Sequence, residues 1–170
     1  MMTLAINAIT TAANAAGIAS VAEGSDTIKD ALKVKEYPLP RLEYYLIDED
    51  FDEVQAGLIT AVRDEDKEYR KRKKQRWTLR IRVLISATTE ASAEELFKTF
   101  LKYLPKHIAD DDGIDVRIIP RRAERRAFTR KLVDVFPKKE ISLFITFIGG
   151  IYTDEEVDLI KEVTITPEVE

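Results

Sequence analysis

The amino-acid sequence predicts an α+β domain with a mostly antiparallel sheet and helices packed on one face. Three observations lead there. Apolar residues recur at every second position from Trp77 to Ser86, the mark of a half-buried strand. Two other segments carry apolar residues at the three- and four-residue spacing of a helix. The runs follow one another as helix, helix, three strands, helix, three strands and a tail, so strands and helices do not alternate regularly.

In TLAINAITTAANAAGIASVA, residues Leu4, Ala8, Ile9, Ala12, Ala13 and Ala16 fall near one helical face, and Gly17 is the predicted stop. Ser25 or Asp26 can cap a second short helix over DTIKDALKVK, with Ile28, Ala31 and Leu32 facing inward. The prolines of Tyr37-Pro38-Leu39-Pro40 impose extended backbone. From Arg41 a strand sets Leu42, Tyr44 and Leu46 against Glu43, Tyr45 and Ile47, and IDEDFDE follows as an acidic turn. Strands near Val54 to Arg63 and Trp77 to Ser86 flank DEDKEYRKRKKQR, which predicts a hairpin with a long exposed loop.

Ser92 and Glu95 have capping-box spacing, and Leu96, Phe97, Phe100, Leu101 and Leu104 make the apolar stripe of a helix that Pro105 ends. Asp110-Asp111-Asp112-Gly113 is a solvated turn. Ile114, Val116 and Ile118 mark a short strand, and PRRAERR is a basic connector. AFTRKLVDVF and ISLFITFI, separated by PKKE, read as a second hairpin. Gly149 and Gly150 break the last strand and release an acidic tail. Residues 1–150 are thus one α+β domain and residues 151–170 a C-terminal arm or extension.

Much chemistry is excluded. The chain has no cysteine, so disulfides and thiolate metal sites or nucleophiles are absent. The Ala-rich start lacks a positive n-region and is interrupted by Thr, Asn and Gly, which predicts neither a signal peptide nor a membrane span. A soluble cytosolic protein is expected. His107, the only histidine, has no nucleophile motif beside it and reads as a surface residue. Asp48, Asp50 and Asp52 match the first half of a calcium loop, but Glu53 replaces the required glycine and Ile59 the closing glutamate. Neither a phosphate-binding lysine loop nor G-x-G-x-x-G occurs. No enzyme activity, cofactor or metal is expected.

The charge distribution is the informative feature. Residues 67–82 hold nine basic side chains against Glu68, a net of +8, and residues 117–131 hold seven against Glu124, a net of +6. The other 139 residues carry −18, and the overall −4 is the difference between these blocks. One reading places Arg72, Lys73, Lys74, Arg80 and Arg82 on the phosphates of a nucleic acid, with Tyr69 or Trp77 stacked on a base. A second treats the blocks as solvated surface. A third pairs copies of the chain: basic Arg70, Arg72, Lys73, Lys74, Arg121, Arg122, Arg125 and Arg126 of one subunit meet acidic segments of its neighbour, Asp48, Asp50 and Asp52 or residues 154–162. Segregated opposite charges in a nearly neutral chain favour the third.

The order of elements is itself informative: an N-terminal helix, the Pro-flanked PLPRLEYYLID, a polar loop, RWTLRIRVLIS, EELFKTFLKYLP and the late strand ISLFITFIGGIY. Over residues 1–150 this pattern resembles the tail terminator proteins of long-tailed bacteriophages. The resemblance implies a virion structural protein at the tail–neck junction, assembled in the host cytoplasm. It implies a hexameric ring that caps the tail tube, ends its polymerisation and presents a surface to the head connector. The implied partners are the chain itself, the tail tube protein, the connector or neck protein, a sheath protein if the tail contracts, and DNA in the channel, with no membrane. A neck or head-completion component of the same virion is the neighbouring expectation, and a nucleic-acid-binding accessory protein is the one from another class.

Overall fold

The computed structural model describes residues 2–18, 20–24, 38–63, 67–111, 113–126 and 139–158, with backbone alone for 55–63, 67–72, 122–126 and 154–158. The elements are α1 (Met2–Ala15), β1 (Ser20–Glu23), β2 (Arg41–Arg63), β3 (Lys67–Ala87), α2 (Glu90–Tyr103), β4 (His107–Ala109), β5 (Asp115–Arg126) and β6 (Lys139–Asp158). The strands form one six-stranded sheet in the order β1-β2-β3-β6-β5-β4. β1 runs parallel to β2, whereas β5 is antiparallel to both β4 and β6. Only three residues join β2 to β3, too few for a parallel crossover, so that pair is antiparallel as well. The predicted α+β class with a mostly antiparallel sheet is the observed one.

The chain divides into two compact units, Met1–Asp50 with Trp77–Gly149, and Phe51–Arg76 with Gly150–Glu170. One boundary between the units falls between Gly149 and Gly150. The second unit also takes residues 51–76.

The core lies in the first unit. On β3, Trp77, Leu79, Ile81, Val83 and Ile85 are all buried, as their alternation requires. Leu42 of β2, Val116 and Ile118 of β5, and Leu143, Ile145 and Phe147 of β6 complete the sheet's share. From α1 come Ala5, Ile9, Ala12 and Ala13, and from α2 Phe100, with Leu96, Phe97 and Leu101 packed around it. The alanines leave α1 a flat face that lies close to its neighbours. α1 and α2 also pack on each other.

Gly17 stops α1, as predicted. Its φ of 85° puts it in the left-handed region, where Ile18 N donates to Ala13 O (2.9 Å) and Gly17 N to Asn14 O (3.0 Å). These two bonds make a Schellman cap, and the buried Ile18 supplies its apolar contact. α2 begins differently from the expectation: Thr89, not Ser92, is the N-cap, its hydroxyl accepting from Ser92 N at 3.1 Å. Leu104, held extended by Pro105, ends the helix. No helix among the described residues is long and apolar enough to cross a membrane.

Several expected breaks are continuous strand. IDEDFDE is the middle of β2, and residues 67–76 of the predicted tip belong to β3, leaving only 64–66 between the strands. PRRAERR is part of β5. Gly149 and Gly150 lie inside β6 and are buried. Short β4 was not anticipated. The predicted helix at 26–35 and the run 127–136 lie outside the described residues.

Phe100 fills the centre of the core, so Phe100→Ala should lower the unfolding free energy by about 3–5 kcal/mol, whereas Thr89→Ala should cost about 1 kcal/mol through the lost cap. Urea unfolding of the two variants checks the ranking, and equal losses would contradict this core assignment.

Candidate functional site

On β2 the acidic run is a row of cross-strand partners. Asp48 Oδ2 accepts from Arg80 Nη1 at 2.8 Å, and Glu49 accepts from the indole N–H of Trp77. In the second unit, Asp52 Oδ2 accepts from Arg76 Nη2 at 3.1 Å. Charges that disfavour a strand singly are tolerated when opposite charges face each other across a ladder. This is why IDEDFDE extends instead of turning. The side chains of Arg76, Arg80, Asp48 and Asp52 are 37–57% exposed, so each ion pair contributes under about 1 kcal/mol. They set the register of the hairpin more than its stability.

Closer to the start of β2 the polar face is buried. Glu43 accepts from Arg41 Nε and from the Tyr45 hydroxyl, both at 2.8 Å. The Arg82 guanidinium lies 4.5 Å from the centre of the Tyr45 ring. Burial, and then the bond to Glu43, push the Tyr45 phenol far above its usual range. It stays protonated and serves as a fixed donor. Gly24 makes this possible, because a side chain there would enter the Tyr45 ring. Glu140, Ser142 and Thr146 of β6 are buried, and among the described residues the buried Asp48 Oδ1, Ser86 Oγ and Arg82 Nε find no hydrogen-bond partner.

Tyr45 lies on Arg82 while Asp48 pairs with Arg80, so three residues of β2 are spanned by two of β3. That count is the one a β-bulge produces, and it fits the exposure of two successive apolar residues, Leu46 and Ile47.

In the second unit, Lys73 Nζ stands 6.0 Å from the Tyr152 ring centre, and burial followed by repulsion from Arg76 lowers its pKa. A Cβ on Gly150 would come within 2.6 Å of Lys73 Cε and 2.8 Å of the Tyr152 ring. Gly150 is therefore a close-approach glycine, not the strand break that its pairing with Gly149 suggested.

The structure separates the predicted interface residues. Asp48, Asp50 and Asp52 lie on β2, Lys73 and Lys74 on β3, and Arg121 on β5, two strands away from β3 in the sheet. Arg70, Arg72, Arg122, Arg125 and Arg126 have described backbone on the same two basic strands. Two of the acids expected to meet a neighbour are paired within the chain. Of the two stacking residues in the nucleic-acid reading, Trp77 is fully buried and the side chain of Tyr69 lies outside the described residues; Arg80, Arg82 and Lys73 are each engaged in the chain. His107 is exposed and shares its Nδ1 with Asp115 at 2.8 Å across the β4–β5 pair, a partner that antiparallel register reveals and sequence spacing does not. No cluster of three His, Asp or Glu suited to a metal ion occurs among the described residues. Sequence reasoning missed the Glu43–Tyr45–Arg82 cluster, for which the alternation of charged residues in RLEYY was the available signal.

Two predictions follow from these contacts. Tyr45→Phe removes a donor to a buried carboxylate and should cost about 1.5–3 kcal/mol, whereas Asp52→Asn should cost under about 1 kcal/mol. Chemical denaturation distinguishes them, and a larger loss at Asp52 would reverse this account of which charges stabilise the sheet.

No family model and no curated protein matches the chain. Among solved structures it is similar to a chain of the "Virion of native gene transfer agent (GTA) particle", at 14% identity, with 84% of each chain covered and a TM-score of 0.33.

Proposed function

We propose that this chain is a structural protein of a tailed virion, a tail terminator whose copies close into a ring on the end of the tail tube. Strand length carries the reading. β2, β3 and β6 have 23, 21 and 20 residues, while α1 and α2 have 14 each. At ~3.3 Å per strand residue and ~1.5 Å per helical residue, each of these strands is about three times as long as either helix. About half of their length, residues 51–63, 67–76 and 150–158, lies outside the unit that holds the core. The apolar side chains on it agree: Phe51, Val54 and Ile151 are exposed in the second unit, as are Leu46 and Ile47 in the first. An isolated soluble chain gains nothing from that exposure.

In this role the chain performs no chemistry. A ring of six copies, the number that the sequence resemblance implies, gives the tube an end that accepts no further subunits. Its other surface then receives the head connector, and DNA passes through the opening. Ring closure requires a heterologous interface, in which two different surfaces of each subunit meet.

Size-exclusion chromatography with light scattering, followed by negative-stain microscopy, tests this. The expected result is a ring with a mass near six times 19.4 kDa, either free or on added tail tubes. A mass of 19.4 kDa at every concentration, with no binding to tubes, would overturn the reading.

A further inference from the structure

Both outermost strands of the sheet are short. β1 pairs with β2 only from Arg41 to Tyr44, and β4 pairs with β5 only from Asp115 to Arg117, with one further bond from Ile118 N to Lys106 O at 2.8 Å. Past those points, among the described residues, no strand covers the outer side of β2 or of β5. Each leaves a row of backbone donors and acceptors of the kind that takes up another strand.

The two open edges have opposite charge. On β2, residues 46–50 are Leu46, Ile47, Asp48, Glu49 and Asp50, and Asp52 and Glu53 follow on the strand without a basic residue between them. On β5, residues 119–126 read IPRRAERR, four arginines to one glutamate. Leu46 and Ile47 are 49% and 47% exposed, so the acidic edge has apolar surface to bury.

We propose that these edges are the two halves of one interface between copies of this chain. The 46–50 edge of β2 in one copy joins the 122–126 edge of β5 in the next and continues the sheet from subunit to subunit. Like edges repel, arginine against arginine or carboxylate against carboxylate, which disfavours a two-fold dimer and leaves head-to-tail association. Pro120 sets the limit of the pairing. Ile118 donates outward, so the two-residue period turns Pro120 outward too, where it has no N–H to offer. By the same period Arg121 faces β6, and the β5–β6 register shifts between Arg121 and Ala123, so outward pairing begins past Arg121. The basic residues 70–76 take no part in strand addition, because β3 already has β2 on one side and β6 on the other.

This inference rests on the ring reading, and one experiment separates the two. Two full-length variants are prepared: Arg121→Glu/Arg122→Glu/Arg125→Glu/Arg126→Glu, whose edges are both acidic, and Asp48→Lys/Asp50→Lys, whose edges are both basic. Each should keep the wild-type circular dichroism and run at 19.4 kDa while the wild type is assembled, and an equimolar mixture should recover the wild-type mass. If either variant does not fold, Arg121→Glu/Arg125→Glu replaces the quadruple variant and Asp50→Lys, which leaves the Asp48–Arg80 pair intact, replaces the double one, with the same expectations. Assembly of either variant alone as well as the wild type, or a mixture that stays monomeric, would overturn the edge pairing and leave the ring intact. A monomeric wild type that binds no tail tubes would overturn both.

Discussion

Everything in the first unit depends on the alternation along β3. Five buried side chains, Trp77, Leu79, Ile81, Val83 and Ile85, can reach the helices only if the strand keeps its period of two without a slip. That requirement turns Arg80 and Arg82 to the other face. There they need partners, and β2 supplies Asp48 and the ring of Tyr45. The acidic stretch of β2 is thus the complement of the strand that holds the core, and the β2–β3 register is fixed on both faces at once.

How much of this could be read beforehand varied with the physics involved. The β3 core face, the apolar stripe of α2, the stop at Gly17 and the end at Pro105 were legible, because each depends on local spacing or on backbone restrictions of one residue. The middle of β2 and the first half of β3 were not. IDEDFDE and EYRKRKKQR have the composition of solvated loops, and the cross-strand pairs Asp48–Arg80 and Asp52–Arg76 that hold the acidic run in β2 join residues too far apart in the chain for any local pattern to show. The same reason hid the candidate site. The opposite charge of 48–53 and 121–126 was visible, yet their places on opposite sides of the sheet follow from strand order, which no local pattern encodes. Gly150 misled because a glycine needed for close approach by Lys73 and Tyr152 looks the same in sequence as one that ends a strand.

The near-neutral total of −4 acquires a structural meaning from that arrangement. Part of the basic charge, at Arg76 and Arg80, is answered inside the chain by Asp52 and Asp48. The arginines of β5 stand on the far side of the sheet from the acids of β2. A chain with one acidic and one basic edge is complementary to itself in one direction only. This geometry suits head-to-tail association, because each subunit uses up one edge of each kind, and the rotation between neighbours then decides whether the assembly closes.

Hydrogen exchange on the assembled protein tests the central claim most directly, since backbone pairing between subunits protects amides that side-chain contacts alone leave open. Amides in residues 46–50 and 122–126 should exchange at least tenfold more slowly in the assembly than in dissociated subunits, with the interior residues 79–85 unchanged. Equal exchange of both edges in the two states would contradict a sheet that continues from one copy to the next.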